Sequence, residues 1–172
     1  MSKGDNVFLI GPMGAGKTAV GKQLARMLRL TFVDSDSEIE RRTGVDIPFI
    51  FEKEGEEGFR RREQAAIDEL TLRSGVVLAT GGGAVLSPEN RSALTSRGTV
   101  IYLHASVWQQ MDRTRHSTNR PLLQTADPEG RLEELMLTRE PIYREIADVV
   151  VDTDGRRVKE VAREIVRQIG QV

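Results

Sequence analysis

The chain has 172 residues, about the length of one domain with room for a full core, so a second domain is not expected. Lys and Arg number 25 against 26 Asp and Glu, a formal net charge of -1; no global field gathers nucleic acid or an acidic membrane, and anions must be met by locally placed cations. The lack of cysteine excludes disulfides and thiolate metal sites, and no apolar run approaches the ~18 residues of a membrane span or forms a signal-peptide core, which points to a cytoplasmic protein.

Short apolar, β-branched runs at 6–10, 31–34, 76–79, 99–103 and 148–151 alternate with amphipathic stretches. The alternation predicts an α/β fold, with helices on both faces of a parallel sheet of about five strands and ligands gathered at the strands' carboxyl ends.

The first run enters Gly11-Pro12-Met13-Gly14-Ala15-Gly16-Lys17-Thr18, which fits G-x-x-x-x-G-K-[ST] at every fixed position. Glycines let the backbone wrap an anion, with successive N–H groups pointing inward and a helix N-terminus behind them. The segment from Gly14, Ala15 and Gly16 through Lys17, Thr18 and Ala19 is therefore the expected phosphate cradle. Lys17 reaches the β/γ-phosphates, and the Thr18 hydroxyl is placed to ligate the accompanying magnesium.

Val20, Leu24, Met27 and Leu28 then predict one apolar face on a helix over 17–29. The next strand ends in Asp34-Ser35-Asp36. In an extended chain residues two apart project from one face, about 7 Å apart, so two carboxylates point together into the cleft. One suits a magnesium ion through water, the other an acceptor hydroxyl, although Asp36 is also placed to cap a helix starting near Ser37.

Residues 37–72 read as mostly helical, broken near Thr43-Gly44 and again at Gly55 and Gly58. One helix would suffice as a crossover, so the surplus predicts a substrate-binding subdomain. In its last helix Phe59, Ala66, Ile67 and Leu70 form the buried face. The run Arg60-Arg61-Arg62 reads chiefly as a solvated face paired with Glu56, Glu57 and Glu63. Arg60, beside Phe59 at the border of the apolar stripe, is the one expected to face a ligand.

Val76 to Thr80 reads as a central strand, followed by Gly81-Gly82-Gly83. Thr80 stands where an acidic residue is expected after a P-loop, which leaves Asp34 as the magnesium partner. Consecutive glycines cost about 1 kcal/mol each relative to Ala; close approach of the backbone to a ligand accounts for them better than a turn. Ser87-Pro88-Glu89 opens a helix that buries Leu94. His104 and His116, the only histidines, are too isolated for a metal site and are expected in surface or capping roles, and Trp108 is expected to pack.

From Asp112 to Gly130 the sequence is polar and rich in breakers, the composition of a lid. Arg120 on such a lid can act as an arginine finger on the transferred phosphoryl group, and Arg113 can lie flat against the adenine. Asp127-Pro128 opens a helix in which Leu132, Leu135 and Met136 predict that Arg139 faces inward too. A desolvated guanidinium needs an anion, best a carboxylate held bidentately. Pro141 is expected to disrupt this helix. Val158, Val161, Ala162, Ile165 and Ile169 line a last, scaffolding helix.

These motifs together, with G-E-E-G-F-R at 55–60, N-R-P-L-L at 119–123 and R-E-P-I-Y at 139–143, resemble those of the shikimate kinases over essentially the whole chain. The resemblance implies transfer of the ATP γ-phosphoryl group to the 3-hydroxyl of shikimate, on the route to chorismate and the aromatic amino acids. It also implies a monomer with a nucleoside-monophosphate-kinase-like fold, three layers α/β/α, a substrate-binding subdomain over about 35–62 and a lid over about 112–127. Carried over by position, Arg60 and Arg139 clamp the shikimate carboxylate, Asp36 holds the ring hydroxyls, and Gly82, within 81–83, offers backbone contact. Thr18 ligates Mg²⁺ with Asp34 behind it, Lys17 and Arg120 contact the phosphates, and Arg156 touches the nucleotide. Lys17, Asp36 and Arg120 are the catalytic set. A gluconate-type sugar-acid kinase is the nearest alternative; an ATP-binding regulatory switch would have no use for an inward Arg139.

Overall fold

The computed structural model describes residues 4–115 and 121–170. Five parallel strands, β1 (Val7–Ile10), β2 (Thr31–Asp34), β3 (Val76–Ala79), β4 (Thr99–His104) and β5 (Val149–Asp152), form one sheet in the order β2-β3-β1-β4-β5. The central strand is β1, with Phe8 beside Leu78 of β3 and Val100 of β4. All four of its side chains are buried. Burial on both sides is why this run is continuously apolar rather than alternating.

The pleat sends alternate residues of β1 into two different cores. On one face Val7 and Leu9 pack with Val20 and Leu24 of α1 (Lys17–Leu28) and Val161 and Ile165 of α7 (Val158–Ile169). On the other, Phe8 and Ile10 meet Ile67 and Leu70 of α3 (Ile47–Leu72), Leu94 of α4 (Pro88–Arg97) and Tyr143 of α6 (Pro128–Ile146). Each wholly buried large side chain contributes about 1.5–3 kcal/mol. The result is the expected α/β/α sandwich, with both crossover loops that matter for chemistry at the carboxyl edge of β1 and β3.

A third, smaller apolar cluster joins Ile39 of α2 (Ser35–Thr43) to Ile47, Ile50, Phe59 and Ala66 of α3. The helical pair between β2 and β3 thus has a core of its own. The chain turns between these helices at Gly44, in the left-handed region at φ 73°. Within α3 the only non-helical residue is Gly55 (φ 72°, ψ -179°), and Gly58 stays helical, so the expected second break is one residue wide.

Several expectations are corrected. The strand stops at Asp34, and Asp36 already lies in the first turn of α2. Asp34, not Asp36, is the cap: its carboxylate accepts from the N–H groups of Asp36 and Ser37, which have no intrahelical partner. Helix α6 runs through Pro141 rather than ending there. The missing N–H frees the carbonyl four residues back, at Leu137, on the outer face where that residue is 81% exposed and water can reach. Helix α5 (Val107–Thr114) extends into the segment read as lid, and Trp108 on it is 75% exposed rather than packed. Met27 and Val158, placed on buried faces by periodicity, are also exposed; each lies at an end of its helix, where less of the chain covers it.

Candidate active site

The P-loop lies between β1 and α1, and the residue before the helix, Gly16, takes the left-handed conformation at φ 87°. A cleft lies over the loop, walled by Gly14, Gly16, Lys17, Thr18, Ala19, Asp34, Asp36 and Arg113. Lys17 is almost buried, and its ammonium donates to the Gly11 and Pro12 carbonyls at 2.7 Å each. The Thr18 hydroxyl donates to Asp34 Oδ2 at 3.0 Å, while Asp34 Oδ1 holds the cap of α2. Two hard oxygen donors thus share one corner, a set suited to magnesium, which takes few protein ligands and keeps water and phosphate for the rest.

Ala15 is wholly buried, packed in the first core, and its N–H donates to the Pro12 carbonyl at 3.3 Å, so it shapes the loop from behind. Arg113 reaches over from α5 and donates to the Gly14 carbonyl at 3.1 Å. Thr80 is a brace: it is buried and donates to the Leu9 carbonyl at 2.9 Å, joining β3 to β1.

A second cavity adjoins the first, lined by Met13, Asp36, Phe59, Arg60, Glu63, Gly81, Gly82, Gly83, Pro121 and Arg139 among others. The inward Arg139 is 3% exposed, as its spacing predicts. Its guanidinium is held by the Tyr143 hydroxyl, and among the described residues it forms no ion pair; burial, with Arg60 adding repulsion, pushes its pKa down. Arg60 points into the same cavity, paired with Glu63 at 2.9 Å and more weakly with Glu56 at 3.3 Å. Arg60 is thus paired with acidic residues of its own helix while lining the cavity.

Glu63 itself was placed on the solvated face, and that is wrong: it is 1% exposed. It follows Phe59 by four residues and precedes Ile67 by four, so the helical period that placed those two inside also placed Glu63. Burial pushes its carboxyl pKa up, and the Arg60 and Arg139 guanidinia only partly offset this. The three glycines let the backbone pass close to these side chains. A Cβ on Gly83 would sit 2.4 Å from Arg60 Nη2, and one on Gly81 would sit 2.9 Å from Glu63 Oε2. No larger residue fits without moving an arginine or the glutamate.

Met13, Asp36, Gly81 and Gly82 line both cavities. Asp36 thus stands where the phosphate cleft meets the arginine-lined one, although by helix geometry rather than the extended D-x-D expected of it. Met13, Pro121, Glu63 and Tyr143 are parts of the site that the residue-by-residue reading left unassigned. Arg156 is not brought there: it lines neither cavity, and its guanidinium is engaged by the Asp152 carbonyl at 3.0 Å and by Glu164. Arg120 and His116 lie outside the described residues. His104 pairs with Asp152 across the ends of β4 and β5, a surface role as expected.

Comparison with known proteins bears on the whole of this arrangement. The family model described as shikimate kinase matches residues 13–170. A shikimate kinase of Halorhodospira halophila is 61% identical over 163 residues, 95% of this chain and 92% of that protein. One from Legionella pneumophila strain Corby is 60% identical over 164 residues, 95% of this chain and 94% of that protein. The solved structure of a shikimate kinase from Acinetobacter baumannii, in complex with shikimate, superposes with a TM-score of 0.96 at 49% identity, covering 98% of this chain and 94% of that one. With the family model matched over residues 13–170, identity sustained nearly from end to end and the fold superposed over almost the whole chain, the chain belongs to the shikimate kinase family.

Proposed function

We propose that this kinase binds ATP-Mg²⁺ over the P-loop and shikimate in the adjoining cavity, and that Asp36 presents the 3-hydroxyl to the γ-phosphoryl group. The observation that carries this is the shared wall. A carboxylate common to the phosphate cleft and to the cavity holding Arg60 and Arg139 is what an in-line transfer to a hydroxy acid requires.

Each end of the acceptor has a matching group. The substrate carboxylate takes the Arg139 guanidinium, whose burial without an ion pair is costly until an anion arrives, and Arg60 completes the fork. Asp36 accepts a hydrogen bond from the attacking hydroxyl and orients it, and the backbone at 81–83 packs close to the ring. On the donor side Lys17 exchanges its loop carbonyls for the β/γ-phosphates. Thr18 and Asp34 hold the metal, which when bound offsets charge on the phosphoryl oxygens. We further assign residues 35–62 to an acceptor-binding subdomain and 112–127 to a lid carrying Arg120, within one domain acting as a monomer.

The test is ADP release in a coupled assay with shikimate, with gluconate and with no acceptor. Turnover is expected with shikimate alone. Equal release with gluconate would move the acceptor to sugar acids at large, and acceptor-independent release would leave only an ATPase.

A further inference from the structure

The Tyr143 hydroxyl makes two contacts, to groups on different elements. It donates to the Gly82 carbonyl at 2.5 Å and accepts from the Arg139 guanidinium. A phenol has one proton, and the Gly82 carbonyl can only accept, so the proton points to Gly82 and the oxygen lone pairs face Arg139. The ring behind it is fixed. Tyr143 is fully buried in α6 and stacks on Tyr102 of β4 with centroids 4.9 Å apart.

Tyr143 therefore joins two walls of the acceptor cavity that belong to different elements. Gly82 follows β3, Arg139 lies one helical turn before Tyr143, and a Cβ on Gly82 would stand 3.3 Å from Arg139 Nη1. Arg139 has no carboxylate to orient it among the described residues, and its Nε has no hydrogen-bond partner there. A long side chain with several rotatable bonds would otherwise lose that freedom only when substrate binds, at a cost to affinity.

We infer that Tyr143 is a positioning residue for acceptor binding: its hydroxyl holds the Arg139 fork and the Gly82 backbone in register before the acid arrives. This rests on the reading of Arg139 as the group that receives the substrate carboxylate. Tyr143 lines neither cavity itself and acts through its partners; Arg139 lines the acceptor cavity and not the P-loop cleft, so the effect is expected chiefly at the acceptor end.

The experiment compares KM for shikimate, KM for ATP and kcat in Tyr143→Phe, Arg139→Lys, the double variant, and Tyr102→Phe. The last removes the neighbouring phenol, whose hydroxyl bonds Glu140 outside both cavities. Tyr143→Phe is expected to raise the shikimate KM about five- to tenfold, with KM for ATP and kcat changed less than about twofold, consistent with loss of a hydrogen bond to a charged group. Tyr102→Phe is expected to change none of the three. The double variant should fall well short of the product of the two single effects, since both remove one contact. Should Tyr143→Phe fold poorly, replacement of Tyr143 by 4-aminophenylalanine keeps the ring and the donation to Gly82 but accepts weakly, and the same rise in shikimate KM is expected. An unchanged shikimate KM in the Tyr143 variants, with Arg139→Lys impaired, overturns the inference and leaves the clamp standing. Normal shikimate KM in Arg139→Lys overturns the clamp and the inference with it. Multiplicative effects in the double variant, or an equal rise in both KM values, would reduce Tyr143 to a packing residue and also overturn it.

Discussion

The hydroxyl of Thr18 and the carboxylate of Asp34 meet at 3.0 Å, tying the start of α1 to the end of β2. The same carboxylate caps α2 through its other oxygen. One side chain thus serves the proposed metal corner and the helix that carries Asp36. The two jobs separate on substitution. Asn caps about as well as Asp, so Asp34→Asn should leave the melting temperature within about 2 °C while raising the magnesium concentration for half-maximal turnover severalfold. Asp34→Ala should also lose about 1 kcal/mol of stability. A magnesium titration beside thermal unfolding checks both, and an Asn variant with unaltered magnesium dependence would remove Asp34 from the metal site.

Arg139 is expected to show function set against stability. It is buried without an ion pair among the described residues, and its pKa is depressed, so its charged form destabilises the unliganded fold throughout the pH range below that pKa. Arg139→Met should leave the unliganded protein as stable as the parent or more so. It should also weaken shikimate binding by about 2–5 kcal/mol, the usual cost of truncating a buried charged partner, with little change in KM for ATP. Urea unfolding and steady-state kinetics measure the two halves; equal damage to both substrates would count against an acceptor-specific clamp.

Glu63 carries a pH signature. Its folded pKa is raised by burial, the Arg60 contact notwithstanding. The folded state therefore holds that proton more tightly than the unfolded chain does. Its contribution to stability is greatest below the unfolded carboxyl pKa and declines as pH climbs from there through the folded value. Glu63→Gln cannot titrate, so the stability of the parent relative to this variant should fall across that interval and level off above it. Unfolding free energies from pH 4 to 8 provide the test. A difference that grows with pH would mean the Arg60 pairing outweighs burial.

Asp36 and Lys17 probe the transfer step itself. Lys17→Met should cut kcat by about 100-fold or more, the scale set by loss of one charge-stabilising donor. Asp36→Asn should lower kcat strongly if the carboxylate activates or orients the hydroxyl. Near-normal turnover in the Asn variant would exclude both roles for Asp36.

Much of this was legible in the linear chain, because periodicity and short-range spacing encode which face of an element is buried. The strands were found to within a residue or so, the P-loop by its fixed positions, and the inward Arg139 by its distance from Leu132, Leu135 and Met136. Such patterns determine direction but not neighbours. The cost of Pro141 depended on whether water reaches the Leu137 carbonyl, and the fate of Trp108 on whether any helix lies above α5.

What only the tertiary structure decided is who meets whom. Asp34 became the cap because the helix starts two residues earlier than the sequence suggests, and Asp36 came to the border of two cavities because β2 and β3 are adjacent. Glu63 fell beneath Arg60 beside the glycine run, and Tyr143 of α6 came to meet Gly82, 61 positions earlier in the loop after β3. Hydrogen bonds between groups distant in sequence depend on distances of a few tenths of an ångström, which no local preference along the chain can specify.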